Sequence, residues 1–60
     1  MNYLSKNQLK KMNFKSLGKN VLISKNASII KSEEMTIGDN TRVDDFSLLY
    51  GSIDIGRNVH

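Results

Sequence analysis

The hexapeptide IGDNTR, at residues 37–42, decides how the rest of this chain is arranged. It returns eighteen residues later as IGRNVH (55–60), and a third version, LGKNVL (17–22), lies twenty residues earlier. An aliphatic residue, a glycine, a variable residue and an asparagine therefore recur at a nearly constant spacing. A repeat of this length is typical of a solenoid, in which each unit packs on its neighbours alone.

The repeat has a period of six residues. Branched aliphatic residues fill the first position of every hexad, once a two-residue insertion within residues 31–34 is allowed for. They are Leu17, Ile23, Ile29, Ile37, Val43, Leu49 and Ile55. A helix repeats every 3.6 residues and a strand every two, so a period of six fits a short strand followed by a corner. Asparagine suits such corners because it tolerates positive φ.

Three hexads close one coil, which predicts an all-β fold: a parallel β-helix of about two and one-third coils. Coil one covers residues 17–36, coil two covers 37–54 and coil three begins at 55. The first-position residues of successive coils should stack in three inward ladders. The fifth position of each hexad should also point inward, and Met35 should take that place in the hexad with the insertion.

The chain divides into two parts, with residues 1–16 as a capping helix and linker and residues 17–60 as the start of the β-helix. Residues 1–13 are predicted to form a short helix with Ser5 as its N-cap. The Ser5 hydroxyl can accept from the backbone N–H of Gln8, and the Gln8 side chain can reach back to the N-cap. A helix this short is marginal alone, so its apolar side chains should pack against another part of the protein.

Composition excludes several classes of site. The chain has no cysteine and one histidine, which excludes disulfides, thiolate metal sites and a histidine metal cluster. No apolar run approaches the roughly 20 residues of a membrane span, and no signal-peptide core is present. We therefore expect a cytoplasmic protein with no membrane span. Sixty residues bury a small core, so we also expect either an oligomer or the beginning of a longer, truncated protein.

Charge is distributed unevenly. Residues 1–31 carry seven lysines and no acid, whereas residues 32–60 carry six acids and two arginines. The two halves are thus +7 and −4, which together give the net charge of +3. A basic first half could meet phosphate on nucleic acid, a membrane or a nucleotide, although a solvated face is the simpler interpretation.

The three glycine-containing repeats, LGKNV, IGDNT and IGRNV, resemble the hexapeptide repeat of the left-handed β-helix acyltransferases. Residues 3–60 as a whole resemble the amino-terminal end of the bacterial sugar O- or N-acetyltransferases in that superfamily. The resemblance implies a left-handed coil and a homotrimer. It also implies acetyl-CoA as co-substrate, bound between neighbouring prisms, and a histidine general base acting on a sugar or nucleotide-sugar acceptor in surface-polysaccharide synthesis. In such enzymes that histidine lies several coils in, so this chain is expected to supply the scaffold and not the catalytic histidine.

Three residues are candidates for a substrate-side role. Asp44 and Asp45 are adjacent carboxylates at a corner, where they could orient a sugar or a base, although a solvated corner is the simpler interpretation. His60 is the one side chain that titrates near neutral pH, and its hexad position should face outward. Met35 and Phe46 are interpreted as packing residues.

Two other functions remain open. The first is a non-catalytic β-helix scaffold or assembly piece that uses the exposed strand edges. The second is a basic module that binds nucleic acid or an anionic membrane through its lysines. We expect no nucleic-acid partner, because aromatic residues do not alternate with those lysines as base stacking requires.

Overall fold

A computed structural model of the chain describes residues 2–59. This part of the chain contains one short α-helix, seven short strands and a 3₁₀ turn. The helix α1 is Lys6–Lys11, and the strands are β1 Ser16–Leu17, β2 Leu22–Ile23, β3 Ser28–Ile30, β4 Thr36–Ile37, β5 Arg42–Val43, β6 Leu48–Tyr50 and β7 Asp54–Ile55. The 3₁₀ turn, Ser32–Glu34, joins β3 to β4 and lies where the insertion was predicted.

The strands form three parallel sheets, ordered β1-β4-β7, β2-β5 and β3-β6. Each sheet forms one wall of the stack of coils. Within a sheet, each strand pairs with the strand one coil further along the chain. The register aligns the first-position residues as predicted: Leu17 with Ile37 and Ile55, Ile23 with Val43, and Ile29 with Leu49. The structure is therefore a parallel β-helix.

The core lies inside the coil, between the three walls. Ile23 and Met35 are fully buried, and Ile37 is 2% exposed. Fifth-position residues also point inward, as Val21 and Thr41 show. The hydroxyl of Thr41 donates to the carbonyl oxygen of Gly56 at 2.9 Å, which removes the cost of burying an unpaired polar group.

Asparagines turn the corner after the first wall. Asn20, Asn40 and Asn58 have φ of 58°, 58° and 59°, as the repeat predicts. The corner after the third wall differs, because the residues with positive φ there are Lys31 and Gly51, at 61° and 71°. They lie one position before the fourth residues of their hexads, Ser32 and Ser52, because β3 and β6 each run for three residues and not two.

Glycines at the first corner allow the coils to stack closely. A Cβ on Gly18 would lie 2.5 Å from the backbone nitrogen of Asp39, and one on Gly38 would lie 2.6 Å from that of Arg57. Neither distance is tolerated by real side chains. The repeated glycine is therefore required by contact between coils.

The amino-terminal segment closes one end of the core. Ser5 and Gln8 form the predicted capping box, with hydrogen bonds of 3.1 and 2.7 Å, and Leu9 is buried against the first coil. The helix begins at Lys6, however, and the prediction of a helix from residue 1 was wrong at that end. Residues 2–4 are extended and form an antiparallel bridge between Tyr3 and Ser24.

Two backbone hydrogen bonds hold that bridge in place. The N–H of Leu4 donates to the carbonyl of Ile23, and the N–H of Lys25 donates to the carbonyl of Asn2, both at 2.8 Å. The outer edge of β2 is thereby covered.

Within residues 2–59, no helix has the length and apolar character needed to cross a bilayer.

Candidate functional site

The corner between β5 and β6 carries two of the three candidate residues, Asp44 and Asp45. The Nε of Arg42, at the start of β5, lies 3.0 Å from Oδ1 of Asp44. Both side chains are nearly half exposed, so this ion pair contributes on the order of 0–1 kcal/mol. That Oδ1 is itself buried and forms no well-aligned hydrogen bond within residues 2–59. Arg42 therefore compensates the charge of Asp44 without a directed hydrogen bond.

Asp45 connects coil two to coil one. Its Oδ1 accepts from the hydroxyl of Ser24, and the side-chain amide of Asn26 lies at the limit of hydrogen bonding, 3.5 Å away. Ser24 is fully buried, and its Oγ also accepts from the backbone N–H of Asn26 at 3.0 Å. A buried hydroxyl needs such a partner, so this carboxylate has a structural function.

Both carboxylates retain capacity for a ligand. The contacts found for Asp44 and Asp45 among residues 2–59 use their Oδ1 atoms. An ionised carboxylate has two acceptor oxygens, so each residue can still accept from a hydroxyl or an amine. The structure thus brings the two predicted acids together at a partly exposed corner.

The third candidate, His60, lies outside the described residues. Among residues 2–59, no group of three metal-ligating side chains could hold a metal ion. Neither observation tests a catalytic role, and the assignment of Asp44, Asp45 and His60 to a site stays a prediction.

Phe46 does not pack within the chain, so its interpretation as a packing residue was wrong for the single chain. Its side chain is 86% exposed, and its φ is 64°. Positive φ is unfavourable for a bulky residue and costs of order 1–3 kcal/mol where it persists. Coil one places Asn26 at the matching position, without positive φ. An aromatic residue where the repeat favours asparagine was the sequence signal for this feature.

Phe46 belongs to an apolar outer surface that it shares with residues of the third wall. We call this surface the β3–β6 face. It consists of Ile30, Phe46, Leu48 and Tyr50, which are between 43% and 86% exposed. Ile30 pairs with Tyr50 across the sheet. The Nζ of Lys31 lies 5.6 Å from the centre of the Tyr50 ring, within the range of a cation–π contact. Large apolar side chains in one contiguous patch are typical of a protein contact surface.

A polar depression lies where the insertion meets coil two. Its lining consists of Lys15, Glu33, Glu34, Ser52 and Asp54. The hydroxyl of Ser52 donates to Oε1 of Glu34 at 2.8 Å, and the hydroxyl of Thr36 donates to Asp54. These groups satisfy one another between coils, and the repeat pattern gave no signal for them.

Comparison with known proteins shows what this chain is similar to. No protein-family model matches the chain. It is 46% identical, over an alignment of 63 positions, to a dTDP-4-amino-4,6-dideoxy-D-glucose acyltransferase of Escherichia coli. The alignment covers the whole of this chain and 33% of that relative.

Solved structures give the same result. AntD, an N-acyltransferase from Bacillus cereus, has been solved in complex with dTDP and 3-hydroxybutyryl-CoA, and the match to it has a TM-score of 0.90 and 52% sequence identity. It covers 95% of this chain and 31% of AntD. The chain is homologous to a segment of the hexapeptide-repeat sugar acyltransferases. A mutant of AntD in complex with dTDP-4-amino-4,6-dideoxyglucose and coenzyme A matches with a TM-score of 0.89.

The match to these sugar acyltransferases confirms the left-handed β-helix implied by the repeats. It also confirms that proteins of this type carry coenzyme A and an acyl-CoA. The chain spans about a third of the length of these relatives.

Proposed function

We propose that this chain forms the amino-terminal part of the β-helix of an acyl-CoA-dependent sugar acyltransferase. The observation that carries the proposal is the 52% identity to AntD at a TM-score of 0.90. Both coil geometry and sequence are shared there, and the solved relative carries a nucleotide and an acyl-CoA. The E. coli relative is named for a nucleotide-linked amino sugar, so the acceptor proposed here is a nucleotide sugar with a free amine.

The proposed reaction is direct acyl transfer. The amine of the sugar attacks the thioester carbon of acyl-CoA, the new bond is C–N, and the bond that breaks is C–S. A general base takes the amine proton, and coenzyme A leaves as the thiol. Acetyl-CoA is the donor we propose, and 3-hydroxybutyryl-CoA, found with AntD, is the donor to compare with it.

The segment contributes the scaffold in this proposal. Residues 1–16 form the cap and residues 17–60 begin the coil, while the catalytic base comes from other coils of the whole enzyme. Asp44 and Asp45 are proposed to lie on the substrate side, since their second oxygens can accept from an amine or hydroxyl. We further propose that the product serves surface-polysaccharide synthesis and that the enzyme acts in the cytoplasm, where acyl-CoA is supplied.

The proposed assembly is a homotrimer that buries the β3–β6 face. Exposed Phe46, Leu48 and Tyr50 support it, because apolar side chains of this size gain about 1.5–3 kcal/mol each when fully buried. Parallel walls with flat outer faces can pack prism against prism. A variant with Leu48→Asp should shift the mass measured by light scattering from trimer to monomer.

A chimera tests the proposed function. Residues 2–59 replace the homologous third of AntD, and thiol release from acetyl-CoA or 3-hydroxybutyryl-CoA is followed with dTDP-4-amino-4,6-dideoxyglucose as acceptor. We expect activity within about tenfold of AntD, which corresponds to a barrier change below about 1.4 kcal/mol. The matched control carries Ile37→Asp in the same chimera and should be inactive because it is unfolded. A folded, trimeric chimera without activity would contradict the proposal.

A further inference from the structure

A groove between α1 and the first corner of coil one is not used by the proposed function. We call it the cap groove. Its floor consists of aliphatic side chains: Leu4, Leu9, Leu17, Val21 and Leu22. Its rim carries three lysines: Lys6, Lys10 and Lys19. Leu9 and Val21 are nearly buried, whereas Leu22 is 43% exposed, so the groove is apolar at its base and open at its mouth.

The three lysines belong to two elements. Lys6 and Lys10 lie four residues apart on α1 and hence on one helix face, where like charges are mildly destabilising. Lys19 belongs to the first corner. No acid lines the groove, and the ion pair found among residues 2–59 joins Arg42 to Asp44 elsewhere.

Asp39 does not neutralise this rim through a salt bridge. It lies on coil two beneath Gly18, where its carboxylate accepts the backbone N–H of Lys19 at 2.7 Å. The ammonium groups of Lys6, Lys10 and Lys19 therefore form no ion pair with any residue in the described part of the chain. The groove thus combines unpaired positive charge with an apolar floor.

We propose that the cap groove binds an anionic phospholipid of a membrane surface. The aliphatic floor takes the upper part of an acyl chain, and the lysine rim takes the headgroup phosphate. This occupant matches both the charge and the apolar surface, whereas a free phosphate would leave the floor exposed to water. A nucleic acid fits less well, because no aromatic side chain lines the groove for a base to stack on. The inference is independent of the acyltransferase function and would place the chain at a membrane without a spanning segment.

Vesicle co-sedimentation of the 60-residue chain tests the charged rim. The vesicles contain either phosphatidylcholine alone or phosphatidylcholine with phosphatidylglycerol, at one ionic strength. The groove variant is Lys6→Gln/Lys10→Gln/Lys19→Gln. The control variant, Lys11→Gln/Lys15→Gln/Lys25→Gln, removes the same charge from lysines that do not line the groove. We expect binding to the anionic vesicles to fall about fivefold for each rim lysine removed, and the control to retain most of its binding.

A second pair of variants tests the apolar floor of the cap groove. Leu22→Asn should weaken vesicle binding several-fold, whereas Val59→Asn, at a side chain 41% exposed against 43% for Leu22, should leave it unchanged. Equal losses in both lysine variants would overturn the proposal, because diffuse charge would then explain binding. Equal binding to neutral vesicles would also overturn it. The proposal would also be overturned if inorganic phosphate competed with the vesicles while Leu22→Asn had no effect. Capture of an acidic amphipathic peptide, without binding to vesicles, would overturn it as well.

Discussion

The carboxylate of Asp39 accepts the backbone N–H of Lys19 from the adjacent coil, 2.7 Å away. It can do so because Gly18 has no side chain, and a Cβ there would lie 2.5 Å from the backbone nitrogen of Asp39. The glycine of the repeat therefore sets the distance between coils, and the acid of the next repeat uses that distance for a hydrogen bond. Gly38 and Arg57 repeat the same close approach one coil later.

Replacing this glycine should destabilise the fold. Gly18→Ala forces the first corner away from coil two, and we expect a loss of about 1–3 kcal/mol in the free energy of unfolding, as for other overpacked sites. Urea denaturation followed by circular dichroism measures it. Gly56→Ala is the matched control, since a Cβ at Gly56 meets nothing within 4 Å among the described residues. Equal midpoints for the two variants would contradict the close stacking of coils.

The inward ladder gives a second prediction. Ile37 is 2% exposed, and Ile37→Asp places a carboxylate in the core without a partner, which is prohibitively costly. We expect loss of the β-sheet circular dichroism signal. Ile30→Asp, at a side chain 43% exposed on the outer face, should keep that signal. A native spectrum for Ile37→Asp would show that the ladder points elsewhere.

The two adjacent acids should behave differently when each is truncated. Asp45→Ala leaves the buried hydroxyl of Ser24 without its acceptor, so we expect a loss of about 1–3 kcal/mol. Asp45→Asn keeps an acceptor oxygen and should recover part of that loss. Asp44→Ala removes a surface ion pair and should cost less than about 1 kcal/mol. Thermal unfolding of the three variants separates these cases, and similar losses for Asp44→Ala and Asp45→Ala would contradict the contacts described here.

Phe46 should show opposite effects on folding and association. Phe46→Asn relieves positive φ at a bulky residue and removes an exposed aromatic side chain, so the monomer should gain about 1 kcal/mol. The same change removes an apolar side chain from the β3–β6 face and should weaken self-association. Chemical denaturation and analytical ultracentrifugation measure the two effects. A variant that is more stable and associates as strongly would remove Phe46 from the proposed interface.

The walls and the core could be predicted from sequence because their pattern is local. The first position of every hexad from Leu17 onward is aliphatic once the two-residue insertion is allowed for, and hexads of constant length bring those residues into register. The capping box was equally local, since Ser5 and Gln8 lie three residues apart.

The remaining features depend on tertiary contacts that no spacing encodes. Residues 2–4 pair with β2, some twenty positions away, and nothing in their composition indicates a strand. The structural function of Asp45 depends on Ser24, 21 residues earlier. Phe46 could be placed at a corner, but its exposure follows from the direction of the chain there. The position of Asp44 and Asp45 at a corner was thus predicted from the sequence. The contacts of their Oδ1 atoms could not be predicted, because they depend on the fold.

The antiparallel bridge at Tyr3 covers part of the outer edge of coil one. A parallel β-helix can elongate as a fibril does, by adding strands of the same direction to an open edge. At β2, residues 2–4 lie along that edge in the opposite direction and form an isolated bridge with it. A further parallel coil from another molecule would find the carbonyl of Ile23 already bonded there. Residues 2–4 therefore hinder end-to-end polymerisation at this wall of the coil.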